Sequence, residues 1–65
     1  MEFRTKREAE EAAAKLEQHG RLCDRAARKN ARIPALAAEK RWVAENARAG
    51  AARIRDLLPT LPEEA

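Results

Sequence analysis

His19 and Cys23 stand four residues apart, the spacing that places two side chains on one face of a helix. An imidazole and a thiol so placed could be two zinc ligands, or a base beside a nucleophile. The chain has one histidine and one cysteine, so a four-ligand His2Cys2 site would need a second copy, and no intrachain disulfide can form. A nucleophilic pair also needs an oriented base and an oxyanion site. With two glycines, no phosphate-cradling loop and no dinucleotide fingerprint, the sequence offers neither. It therefore reads as a non-enzyme with no catalytic residue, cofactor, metal or small-molecule substrate. Cys23 is expected as a small apolar residue on a helix seam. Glu8, Glu10, Glu11 and Glu17 read as helix-dipole and salt-bridge residues, not as paired acids.

Arginine is the other chemistry-bearing residue. Arg21, Arg25, Arg28 and Arg32 step by four, three and four, one outward stripe on a helix, with Lys29 and Arg41 nearby. Such a stripe could contact nucleic-acid phosphates or an acidic protein, or simply be solvated beside the negative end of a helix dipole. No aromatic side chain is interleaved for base stacking. The net charge is +3, which permits an acidic partner without demanding one.

The elements that position these residues are helices. Of 65 residues 16 are alanine, and Ala, Glu, Lys and Arg dominate, all good helix formers. Thr5 and Glu8 make a capping box, so a first helix is predicted over 6–29, ended by Asn30 in the left-handed conformation. Pro34 suits the first turn of a second helix, predicted over 34–58, because Pro59 cannot extend it. The tail 59–65 is expected to be extended. Two matched helices around a short loop make an antiparallel αα-hairpin, one domain over 1–65. No apolar run approaches a membrane span, and the first residues lack a signal-peptide apolar core. The single cysteine fits a cytoplasmic setting, and the excess of Arg over Lys with abundant Ala fits a bacterial or phage origin.

A 3.5-residue repeat runs through Ala9, Ala13, Leu16, Gly20, Cys23, Ala27 and Asn30. A second runs through Leu36, Lys40, Val43, Ala47, Gly50, Ile54, Leu57 and Leu61. Paired so that positions sum to 63, large residues meet small ones, Gly20 facing Val43 and Ala13 facing Gly50. Both glycines then read as packing devices; the alternative is a kink at Gly20. Beside the seams, Glu10, Glu17 and Asp24 are expected to pair with Arg55, Arg48 and Arg41 respectively, fixing the antiparallel alignment.

On the other flank lie Ala12, His19 and Ala26 of the first helix, and Ala35, Trp42 and Ala49 of the second. Leu22, Ala38 and Ala52 are close. This second apolar strip, anchored by the only tryptophan, is expected as an interface. Self-association of two hairpins into a four-helix bundle is the preferred reading; the bland alternative folds Trp42 onto His19 in a monomer. In layout, though not in residues, the chain resembles the Rop-type RNA-binding hairpins, which dimerise into four-helix bundles. The expected function is a small interaction or regulatory module, a homo-oligomer docking on a partner protein. The first alternative is a Rop-like nucleic-acid binder using the arginine stripe, and the second a structural component of a larger assembly.

Overall fold

The computed structural model describes residues 3–63. Helix α1 spans Lys6–Lys29 and helix α2 spans Pro34–Leu57, 24 residues each. They form an antiparallel hairpin whose Cα extents are 49 × 14 × 14 Å. Among the described residues there is no strand, and no helix is long and apolar enough to cross a membrane.

The helix ends follow from local chemistry, with two departures from expectation. Thr5 Oγ1 accepts the Glu8 amide at 3.3 Å, as a capping residue should. The Glu8 carboxylate, however, accepts the amide of Arg4 at 3.0 Å and not that of Thr5. At the other end Asn30 has φ −104°, so it is not left-handed. Its side-chain amide donates to the Ala26 carbonyl oxygen at 2.7 Å, and the same oxygen accepts its backbone N–H at 3.0 Å. With the carbonyl satisfied in this way, no left-handed residue is required there. Pro34 opens α2, where its missing N–H costs nothing.

Beyond Leu57 a single 3-10 turn, Leu58–Thr60, intervenes before extended backbone begins at Leu61. The tail then doubles back. The Pro62 carbonyl accepts the Lys6 amide at 3.1 Å, satisfying a donor that the first turn of α1 leaves unpaired. Phe3, Leu58 and Leu61 pack on a cluster of Ala9, Ala13, Ala51 and Ile54, closing the open end of the hairpin.

The core between the helices is made of small side chains. On α1 the buried residues are Ala9, Ala13, Gly20, Cys23 and Ala27, the predicted seam. On α2 they are Ala37, Ala44, Ala47, Ala51 and Ile54. Here the seam departs from prediction. It keeps Lys40, Ala47 and Ile54 but substitutes Ala37, Ala44, Ala51 and Leu58 for Leu36, Val43, Gly50 and Leu57. Small residues face the partner because they let two helices approach closely along their whole length. The larger ones are displaced to the rim, where Leu36, Val43 and Gly50 are half-buried and Leu57 is exposed.

The level of the pairing is close to that predicted. Gly20 lies against Ala44 and Ala47, not Val43. A Cβ added at Gly20 would sit 3.4 Å from the Ala44 carbonyl oxygen and from Arg48 Cγ, which is ordinary contact. Close approach therefore does not require glycine there, and α1 runs through it unbroken. Gly20→Ala is expected to stabilise the hairpin by up to about 1 kcal/mol through helix propensity. A melting temperature at or below that of the native chain would show that the interhelical space is tighter than this.

The ion pairs correct the charge register by one heptad. Arg48 Nη1 lies 2.6 Å from Asp24 Oδ2, and Arg55 Nη1 lies 2.7 Å from Glu17 Oε2. Each acid pairs with the arginine seven positions beyond the expected one, and Glu10 and Arg41 form no ion pair among the described residues. The reason is side-chain direction. Every Cα–Cβ bond tilts toward its own helix N-terminus. Level side chains on antiparallel helices therefore lean apart. Glu17 leans toward the open end and Arg55 toward the loop, so these two converge across an offset of about 12 Å. Both pairs are partly exposed, so each contributes only about 0.2–1 kcal/mol. In a thermal-melt cycle, Arg55→Glu should rescue Glu17→Arg while Arg48→Glu should not. Rescue by Arg48→Glu alone would restore the level pairing.

Candidate interaction surfaces

The hairpin has four sides, and helix geometry assigns the candidate residues among them. The ion pairs mark one face. Glu17 and Asp24 of α1 and Arg48 and Arg55 of α2 occupy it. At about 100° per residue, positions 12, 19 and 26 fall on the other side of the α1 seam from 10, 17 and 24. Likewise Leu36, Val43, Gly50 and Leu57 fall on the other side of the α2 seam from Arg48 and Arg55. These two heptad rows share the opposite face.

That face is apolar. Ala12 and Ala26 are half-buried, as are Leu36 and Val43, and Leu16 reaches across toward Gly50. At its open end Phe3, Gly50, Arg53, Ile54 and Leu57 line a cavity of about 260 Å³. His19 is exposed on this face, with Nε2 3.6 Å from the Sγ of Cys23, which is itself buried in the seam. Among the described residues no three side chains of metal-binding type come together.

Trp42 lies elsewhere. It is two residues from both Lys40 and Ala44, so it points about 200° away from the seam, on the outer side of α2. Its exposure is 65%, and Ala35, Ala38 and Ala49 around it are also exposed. Leu22, 52% exposed, lies on the outer side of α1. The residues expected to form one strip are thus divided. Ala12, His19 and Ala26 line the apolar face, Trp42, Ala35 and Ala49 the back of α2, and Leu22 the back of α1. A single-sequence reading merged them because the flank of a helix and its back differ by only one or two positions in the heptad. The row it missed as a surface is Leu36, Val43, Gly50 and Leu57. Its heptad spacing is visible in the sequence, but its larger side chains rank it with the seam.

The basic residues lie on the loop-proximal half. Arg21, Arg25, Arg28, Lys29, Arg32 and Arg41 are all exposed around the loop-proximal half. None forms an ion pair among the described residues. Residues 20–46, which make up that half, carry seven Lys or Arg against three Asp or Glu. The other described residues, 3–19 and 47–63, carry seven against six. The charge is therefore uneven, about +4 on the loop half and +1 on the open half.

No protein-family model, curated protein or solved structure matches this chain.

Proposed function

We propose that this chain is a non-enzymatic interaction module, a helical hairpin that self-associates into a four-helix bundle and docks on a partner protein. One observation carries the reading: apart from Ile54 and Cys23, every buried apolar residue of the interhelical core is an alanine. The apolar bulk that would ordinarily fill a core instead lies at the rim and on the outside. Accessible surface agrees. The chain exposes 5168 Å². A compact 7.3 kDa monomer would expose about 4200 Å². The difference, about 1000 Å², is of the size each partner contributes to a standard interface. Trp42, with the smooth alanine surface beside it, is the anchor offered to the partner protein, and the Arg21–Arg32 stripe supplies steering.

Sedimentation equilibrium tests the self-association, and a dimer mass is expected for the native chain. A monomer over the full accessible concentration range would overturn it. Capture from native lysate tests docking, with Trp42→Ala and Arg25→Glu each expected to lose the partner. Retention of one partner by both variants would remove both surfaces.

A second reading has one specific observation in its favour, the set of exposed arginines that form no ion pair among the described residues. In that reading the stripe binds nucleic-acid phosphates across the dimer. Titration with RNA and DNA at two salt concentrations tests it, since each phosphate contact steepens the salt dependence. Absence of binding at low salt would close it.

A further inference from the structure

We infer that the occupant of the apolar face is a second copy of this chain, lying antiparallel to the first, with Val43 of each copy over Gly50 of the other. This rests on the self-association proposed above and adds the face, the direction and the register. Three independent features support it.

The first is self-complementarity. Gly20 lies against Ala44 and Ala47 within the hairpin, so the midpoint of α1, between Glu17 and Gln18, falls close to Ala47 on α2. The heptad row Leu36, Val43, Gly50 and Leu57 is centred between Asn46 and Ala47, close to that point. A twofold axis through it, in the plane of the face and perpendicular to the helices, overlaps the two hairpins over their full length. It sets Val43 against Gly50 and Leu36 against Leu57 in both halves of an isologous contact. A large side chain then meets a missing one, which fills space.

The second is the cavity. It begins at Gly50 and continues toward Leu57, with Ile54 and Phe3 as walls. Side chains lean toward their own helix N-terminus. In the antiparallel arrangement, Val43 of the second copy therefore leans from Gly50 toward Leu57, along the cavity and not away from it. Its volume of about 260 Å³ accommodates an aliphatic side chain with room to spare.

The third is charge. Loops at the same end would stack one +4 half on another, whereas loops at opposite ends stack +4 on +1, a weaker repulsion. The uneven charge favours the antiparallel direction that the apolar row also requires. The ion-paired faces remain outside, in water, where partly exposed pairs belong.

The experiment combines sedimentation with disulfide trapping. Val43→Glu, made in the otherwise native chain, places a carboxylate on the axis-related contact but outside the alanine seam. It should keep the helical circular dichroism and weaken the dimer at least about a hundredfold. For trapping, Val43→Cys and Gly50→Cys are made separately in a Cys23→Ala background and mixed. Oxidation should yield the mixed 43–50 disulfide at least about tenfold over either same-site product, because same-site positions lie about 10 Å apart along the helix axis. A native dimer that tolerates Val43→Glu, or that traps same-site pairs as readily as the mixed one, would overturn the face and register while leaving self-association standing. A monomeric native chain would overturn both.

Discussion

Replacing Ala44 by leucine should unfold the hairpin or lower its melting temperature by more than any other single aliphatic substitution on α2. Ala44 is 0% exposed, and its backbone sits against Gly20 on the facing helix. Three added carbons have no void to enter, so they must push the helices apart along the seam. Overpacking a well-filled core costs about 1–3 kcal/mol, occasionally more. A chain of this length has a total stability of about 3–10 kcal/mol. The control is Ala49→Leu, on the exposed outer side of α2, which should cost almost nothing in the hairpin. Thermal melts followed by circular dichroism decide the matter. Equal melting temperatures for the two variants would mean that the alanine line does not form the interhelical contact.

The second large effect comes from the tail. Ending the chain after Leu57 removes Leu58 and Leu61 from the cluster around Ala9, Ala13, Ala51 and Ile54. It also removes the Pro62 carbonyl that accepts the Lys6 amide. Two half-buried leucines contribute about 1 kcal/mol each, and a capping hydrogen bond about as much again. Ordering the tail offsets part of this, leaving a net loss of about 2 kcal/mol. For a domain of this size that is roughly 8–15 °C in melting temperature. The Lys6–Glu63 ion pair at 3.3 Å adds little, because Glu63 is largely exposed. Leu61→Ala with Pro62 retained should recover part of the difference. A truncated chain that melts with the full-length one would make the 3-10 turn and tail dispensable. Both measurements need a fixed protein concentration, since self-association would make the melting temperature depend on it.

Much of this architecture was legible in the residues. Thr5 before a Lys-Arg-Glu turn, Pro34 just after Asn30 and Pro59 beyond Leu58 mark the helix boundaries to within a residue. The α1 seam was legible because its small residues recur without competition. On α2 two heptad rows compete, one of larger aliphatics and one of alanines, a single position apart. Hydrophobicity favours the first as core; close packing selects the second. Sequence pattern ranks residues by polarity, whereas two helices in contact select by size. The same limit affected the charges. Glu17 and Arg48 stand level and have opposite signs, yet Glu17 pairs with Arg55, because the direction in which side chains lean is a property of the folded backbone. The doubling back of the tail had no local signal, since Lys6 and Pro62 are brought together only by closure of the hairpin.

What the sequence determined alone is the pair of matched helices, their antiparallel association and the gathering of six basic residues around the loop. Each follows from local preference or from connectivity across four residues, which permits no other arrangement of neighbouring helices. Only the tertiary structure decided which side of α2 is inside. That choice places alanine between the helices, because only small side chains allow contact along 24 residues of each. It therefore leaves Leu36, Val43 and Leu57 on an apolar face and Trp42 on the far side of α2. Which surfaces are free to meet another molecule was settled by how closely the two helices can approach.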